Sequence, residues 1–343
     1  MSFSGQHLTS QEWGLQVRDE QMTGTNAQSG YATDLSIIIV NHDTRELLSD
    51  CLHSLKMERE SRPLQVIVVD NGSHDGSPEM VEHDFPHVRL IRNETNEGFA
   101  KPNNQGLALA EGRYCLLLNS DTIVRPHALR TLVNFMDNHP DVGACGPRLV
   151  NPDGTLQRSC RSFPSLWRHF CDMSGLENLF PNSVFGNFEK RFDHDRDAEV
   201  DQPMGAALLV RSDVIRQVGY LDEQFKIYYN EVDWCKRIKD SGWKISFVRD
   251  AEIVHYGGKT TEITNRSMEQ FDEMTRNTLR YYEKHSGFAG VAGYRMLLVA
   301  GFSVRVALWT IVSMLRPSPS VSSRLMFARK FLSIGFRGSP APR

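Results

Sequence analysis

Short apolar runs recur along the chain, each stopped by a polar turn cluster and followed by a stretch with helical spacing. Residues 34–40 (DLSIIIV) are apolar and β-branched and predict the first strand; Asn41-His42-Asp43-Thr44 breaks it and caps a helix over about 45–57. Residues 64–69 predict a second strand, ended by the turn-rich 70–77, with a helix from Pro78. A third strand is expected at 87–91, a helix from 100 to about 110, a fourth strand at 113–118, a helix at about 126–138 and a strand at 142–150. This alternation predicts an α/β fold: a doubly wound, mostly parallel sheet flanked by helices, with right-handed crossovers.

The second half reads less evenly. Residues 151–201 carry Phe163, Trp167, Phe170, Phe180, Phe185 and Phe192 without a clear period, and predict a mobile loop over the active site with one helix near 165–174. Regularity returns with a strand at 205–210, helices at 213–218 and 230–241, strands at 244–248 and 252–255, and an amphipathic helix at 267–285. Three parts are expected: a flexible polar extension over 1–33 with one short helix near 11–18, a main domain over 34–286, and a basic amphipathic tail over 287–343. The tail has no Asp or Glu after Glu283, and Arg295, Arg305 and Arg316 fall within one quarter of a helix turn in an otherwise apolar stretch. That pattern predicts a helix lying on an anionic membrane surface. A spanning helix is disfavoured by Arg305 at its centre, at roughly 2.5–3.5 kcal/mol; packing on the main domain or in a dimer is the other reading.

Composition narrows the picture. A net charge of −3 over 343 residues gives no nucleic-acid footprint. Cys51, Cys115, Cys145, Cys160, Cys171 and Cys235 lack paired or ligand-like spacing and predict buried thiols, and no apolar leader opens the chain, which predicts a cytoplasmic protein.

Candidate chemistry gathers at strand ends, where open parallel sheets bind ligands. The run Leu116-Leu117-Leu118 stops at Asn119-Ser120-Asp121, and Asp121 is placed to hold Mg²⁺ or Mn²⁺ against a diphosphate; the plain alternative is a cap for the helix beginning near Arg125. Asp70 ends the second strand and either meets a base or ribose or closes a turn with Gly72. Asn96, Gly98 and Asn104 surround a helix start, where backbone N–H groups favour phosphate. His255, ahead of Tyr256-Gly257-Gly258, is either a second metal ligand or structural. In Asn230-Glu231-Val232-Asp233, Asn230 and Asp233 fit the cap and third position of a helix, leaving Glu231 free as a general base. There is no GxGxxG after the first strand and no Walker motif.

VVDNGSHDGS (68–77), NEGFAKPNNQG (96–106), LLLNSDT (116–122), the GAALLVR run from Gly205, YYNEVDWCKR (228–237) and HYGG (255–258) together resemble the family 2 glycosyltransferases, in particular a bacterial rhamnosyltransferase-like subgroup, over about 34–258. The resemblance implies a GT-A fold, a dTDP- or UDP-linked sugar donor, a divalent metal and inversion at the anomeric carbon. It implies a donor site drawn from Asn41, Asp70 (base), Asn96, Gly98, Asn104, Asn119, Ser120 and Gly205, metal contacts from Asp121 and His255, and Glu231 as base. Three departures stand out: Asn119 where the metal motif often has Asp, Asn230-Glu231 at the base position, and Lys101-Pro102 in place of small residues. The expected function is transfer of a sugar to a cell-surface glycan or lipid-linked acceptor at the inner face of the cytoplasmic membrane. The competing readings are a non-catalytic sugar-nucleotide-binding partner, favoured by Asn119 and Asn230, and a nucleotidyltransferase, disfavoured because 41–44 lacks a Gly-rich basic loop.

Overall fold

A computed structural model describes residues 31–59, 64–180, 183, 185, 192–257 and 268–337. The expected extension up to residue 30 with its short helix, Gly258, and the last six residues of the tail lie outside the described residues. Strands β1 (Thr33–Asn41), β2 (Leu64–Asn71), β3 (Arg89–Asn93) and β4 (Gly112–Asn119) run parallel in the order β3-β2-β1-β4. Helices α1 (Arg45–Arg59), α2 (Ser77–Asp84) and α3 (Ala100–Ala108) make the crossovers. Beyond β4 the sheet continues through β11 (Ala207–Arg211), β6 (Val142–Val150), β12 (Lys244–His255) and β5 (Thr122–Val124). β11 is antiparallel to both neighbours and β5 to β12, while β6 and β12 pair in parallel.

The apolar alternation explains why this sheet is covered on both sides. Leu35, Ile37 and Ile39 of β1, with Leu116 and Leu118 of β4, pack into one core with Leu48, Leu52 and Leu55 of α1, and with Leu132 and Met136 of α4 (Ala128–Asn138). The intervening Ile38, Cys115 and Leu117 point the other way. They meet Leu107 of α3, Val214 of α7 (Ser212–Val218) and Trp234 and Ile238 of α8 (Asn230–Asp240). Each fully buried Leu or Ile contributes about 1.5–3 kcal/mol, so a one-residue slip of register is strongly opposed. All six cysteines are buried thiols outside any disulfide.

Three expectations are corrected. The strands predicted at 244–248 and 252–255 are one strand, β12, carrying a register shift between Val248 and Glu252. The alternative reading of Asn119-Ser120-Asp121 as a helix cap does not hold, because β5, a three-residue strand too short to show a period, follows it. The irregular 151–201 stretch holds small strands and the expected helix α5 (Leu166–Ser174), followed by α6 (Leu176–Leu179). α5 docks on the C-terminal helices rather than lying loose.

Helix α9 (Met268–Leu315) is interrupted only at Gly287, whose φ of 59° and ψ of −155° leave the helical region. The break falls at the boundary expected between domain and tail. Helix α10 (Pro319–Arg337) folds back on α9, and Leu298, Phe302, Phe331 and Ile334 form their shared core, with Leu166 and Met173 of α5 packed against it. Within the arginine sector Arg305 faces protein, its guanidinium Nη2 donating to the Met173 carbonyl at 2.8 Å, whereas Arg316, just past α9, is exposed.

Candidate active site

The parallel strands end in register. Asn41 of β1 pairs with Asp70 of β2, and Val40 pairs with Asn119 of β4, so three polar termini lie side by side at one sheet edge. The Asn41 amide Nδ2 donates to Asp70 Oδ1 and Ser73 Oγ, each at 3.1 Å, while its Oδ1 accepts the Thr44 hydroxyl at 2.7 Å. Thr44 Oγ1 in turn lies 2.9 Å from Ser120 Oγ. Asn41, Asp70 and Ser120 thus form one buried hydrogen-bonded row. The Ser73 backbone N–H donates to Asp70 Oδ2 at 3.0 Å, so Asp70 does close its turn. Each of its oxygens still has capacity for a second donor. The cap of α1 comes from outside its own loop: Asp75 accepts the Arg45 N–H at 2.8 Å.

β5 completes the edge. Thr122 pairs with His255, and the Tyr256 N–H donates to the Asp121 carbonyl at 2.9 Å, which brings two residues far apart in sequence together. His255 Nε2 lies 3.3 Å from Asp121 Oδ1, and both side chains are more than nine-tenths buried. His255 Nδ1 donates to Gln157 Oε1 at 2.6 Å, which fixes the ring with Nε2 facing Asp121. Asn119 Nδ2 lies 3.4 Å from the same nitrogen. A carboxylate and an imidazole nitrogen, with an amide behind the ring, are donors of the kind a divalent cation takes. Among the described residues no group of three or more His, Cys, Asp or Glu side chains could hold a metal. Mg²⁺ bound largely through substrate phosphate needs only one or two protein ligands, so Asp121 and His255 fit that role. Gln157 was missed in the sequence because it sits on β7 (Leu156–Gln157), a two-residue strand inside an aperiodic stretch.

Glu231 reaches the same edge by another route. The Ala206 carbonyl accepts the Asn119 N–H at 2.9 Å. Its neighbour Gly205 faces Glu231 so closely that a β-carbon there would stand 3.3 Å from Glu231 Cγ. The turn into α8 is strained: Tyr228 and Tyr229 have φ of 63° and 65°, a conformation costing on the order of 1–3 kcal/mol each for residues with side chains. α9 holds it in place, with Asn277 Nδ2 donating to the Ile227 carbonyl at 2.7 Å and the Thr278 hydroxyl to Tyr229 Oη at 2.9 Å. Tyr229, not Asn230, caps the helix, and Asn230 Oδ1 accepts the Glu231 N–H. Asp233 is likewise no cap; it is fully buried against Arg237, Lys284 and His285. Burial raises the Glu231 carboxyl above the usual carboxylate range, opposed by a bond from its own backbone N–H and by the charge of Arg161. Arg161, on β8 (Cys160–Arg161), is a second residue the sequence reading did not single out.

The remaining candidates are placed differently. Asn96 Oδ1 accepts the Gly98 N–H and an Asn71 Nδ2 hydrogen, each at 3.0 Å, and the Phe99 N–H donates to the Lys226 carbonyl at 2.7 Å. The N–H groups of Gly98 and Phe99, expected to favour phosphate, are thus taken by protein. Gly98 is required because a β-carbon there would fall 2.7 Å from the Lys226 oxygen. Asn104 is also turned away: its Nδ2 donates to the Leu221 carbonyl and to Glu223 Oε1, and its Oδ1 accepts the Leu221 N–H. It pins α3 to the 221–223 loop.

A mixed sheet with this strand order, carrying acids and an imidazole where its parallel strands end, defines a GT-A-type glycosyltransferase domain. Residues 36–200 match glycosyl transferase family 2, so the chain carries a domain of that family over this stretch. It is 29% identical over 248 residues to the N-acetylglucosaminyl-diphospho-decaprenol L-rhamnosyltransferase of Mycobacterium tuberculosis, spanning 66% of this chain and 77% of that protein. Two solved structures share the fold. Mannosyltransferase PcManGT from Pyrobaculum calidifontis, in complex with GDP-Man and Mn²⁺, aligns with a TM-score of 0.51 and 13% identity over 96% of this chain and 93% of its own. S. aureus TarS 1-349 in complex with UDP-GlcNAc aligns with a TM-score of 0.51 and 18% identity over 90% and 82%. The chain is an enzyme that transfers a sugar from a nucleotide donor.

Proposed function

We propose that the enzyme inverts the anomeric carbon as it moves a sugar from a nucleoside-diphosphate donor to a hydroxyl of a lipid-linked glycan acceptor, with Glu231 as general base. The observation that carries this reading is the convergence of Asp121 and His255, 3.3 Å apart, on the sheet edge that also receives Glu231 through Gly205. In the reaction the acceptor oxygen attacks the anomeric carbon, its proton passes to the Glu231 carboxylate, and the bond to the diphosphate breaks. A raised carboxyl suits that task, because a base is most effective when its pKa approaches the working pH. Asp121 and His255 would hold Mg²⁺ or Mn²⁺, which when bound neutralises charge on the departing diphosphate. The Asp70–Asn41–Ser120 row would orient the nucleoside side of the donor. The M. tuberculosis relative, named as a rhamnosyltransferase acting on a diphospho-decaprenol, favours dTDP-rhamnose as donor, with UDP-sugars as the alternative, and a polyprenyl-diphosphate acceptor at the inner face of the cytoplasmic membrane.

The test is Glu231→Gln, with a panel of dTDP- and UDP-sugars, Mn²⁺ and membrane extract as acceptor source. The variant should bind donor with unchanged Mn²⁺ dependence yet release almost no nucleoside diphosphate. Turnover at the wild-type rate removes Glu231 from the role.

A further inference from the structure

The sequence points to a membrane surface through the tail alone, yet the apolar surface of this molecule extends beyond it. On α5 and α6, Trp167, Phe170, Leu179 and Phe180 are 47%, 40%, 70% and 52% exposed. Their rings form one ridge with Phe185: Trp167 stacks on Phe170 at 5.6 Å and meets Phe185 at 5.5 Å, and Phe180 meets Phe185 at 6.0 Å. On α9, Val304, Leu308, Ile311 and Leu315 share one face at helical spacing, and each is more than half exposed. The two surfaces belong to one body. Leu166 seats against Gly293 and Met173 against Gly301, and Arg305 is tied to the Met173 carbonyl at the end of α5. His169 is wedged against Tyr282 and Tyr294, at 5.8 and 4.8 Å, with burial pulling its imidazole down to about 4.

We infer that the aromatic ridge of α5–α6 and the apolar face of α9 form a single surface that seats in the headgroup–acyl boundary of an anionic bilayer. Aromatic residues favour that boundary. Charge identifies the occupant: Arg316, just past the end of α9, and Arg324 and Arg329 of α10 are exposed, and no acid follows Glu283 in the chain. Two copies facing each other would oppose like charges. Helix α9 is long and apolar enough to cross a membrane, but Arg305, tied to the Met173 carbonyl of α5, opposes a spanning course while α5 stays packed. The ridge therefore ties the catalytic domain itself to the surface where a lipid-linked acceptor resides. This inference depends on the proposed membrane location.

The experiment uses the full chain and vesicles of phosphatidylcholine with and without phosphatidylglycerol. Wild type should sediment with the anionic vesicles, less so at high salt. Trp167→Ser with Phe170→Ser, and separately Leu308→Ser with Ile311→Ser, should each weaken binding tenfold or more, while the circular dichroism spectrum and donor affinity stay unchanged. Loss in the α9 pair with none in the α5 pair overturns the shared surface and leaves the tail reading standing. Absence of wild-type binding overturns both. A wild-type dimer in light scattering that either pair converts to monomer assigns the face to a second copy and also overturns it.

Discussion

Helix α8 carries two acids two residues apart, and its two faces treat them in opposite ways. Glu231 looks toward Gly205 and the strand-end edge, where burial raises its carboxyl and the charge of Arg161 only partly offsets that rise. Asp233 looks toward α9, where Arg237 Nε, Lys284 Nζ and His285 Nε2 lie 2.9, 2.9 and 2.8 Å away. Burial alone would raise Asp233 too; the hydrogen bond from His285, with Arg237 and Lys284, outweighs it and holds the carboxyl down to about 2. Desolvation acts on both sides, and the supply of cations decides the outcome. One acid is left basic enough to accept a proton. The other is a clamp that fastens the catalytic helix to α9.

Exchanging each carboxyl for its amide breaks the comparison most sharply. Glu231→Gln preserves shape and removes the base, so kcat should fall by about 10²–10⁴-fold, the range general-base catalysis supplies, with an unchanged melting temperature. Asp233→Asn leaves Arg237 and Lys284 without their buried carboxylate partner and should cost about 3–5 kcal/mol of stability, read as a lower denaturant midpoint. Turnover per folded molecule should stay within a few-fold of wild type. If Asp233→Asn abolishes turnover without loss of stability, the roles of the two faces are reversed.

Acid separates them more gently. The Asp233 carboxyl moves from its ordinary 3.8 to about 2 on folding, so its contribution is fully present above about pH 4 and is lost as pH falls toward 2, an amount of about 2 kcal/mol. Glu231 carries the opposite sign. Its folded value is raised, so the preference for the neutral form favours folding below the ordinary glutamate range and fades as pH rises through the folded value. Activity needs the ionised form, so the acid limb of kcat/KM should lie above the usual 4.5 of a glutamate. A limb at or below that value, or acid unfolding that Asp233→Asn leaves unshifted, contradicts the assignment.

This division was only half visible in the sequence. Apolar runs stopping at Asn41, Asp70 and Asn119 gave away the sheet edge, because strand period and turn residues are local signals. Asp121 and His255 were legible as polar residues at strand ends, but Gln157 was not, since only the pairing of β7 with β6 carries it to His255. Asp233 was misread as a cap because its partners Lys284 and His285 lie on another helix, and local spacing cannot report a tertiary ion pair. Asn104 looked like a phosphate-side residue for the same reason: its partners Leu221 and Glu223 are remote in the chain. In the tail, the arginine stripe was visible, but periodicity cannot say which face meets protein.

The finest test of the Glu231 side is Gly205→Ala. Gly205 does not sit in the left-handed region, so its backbone accepts alanine without strain, and the new methyl would stand 3.3, 3.4 and 3.5 Å from Glu231 Cγ, Cβ and Cδ. Those contacts are tight rather than impossible, and the glutamate side chain would yield by a few tenths of an ångström. A displacement of 1 Å from reacting geometry costs on the order of 10²-fold in rate, so this smaller one should lower kcat by roughly three- to tenfold. Stability should hold or rise slightly, because alanine restricts the unfolded chain more than glycine does. Measured at saturating donor, a fall in kcat with an unchanged melt places the wall of the base pocket at Gly205. An unchanged kcat means that Glu231 takes its working position from somewhere other than this contact.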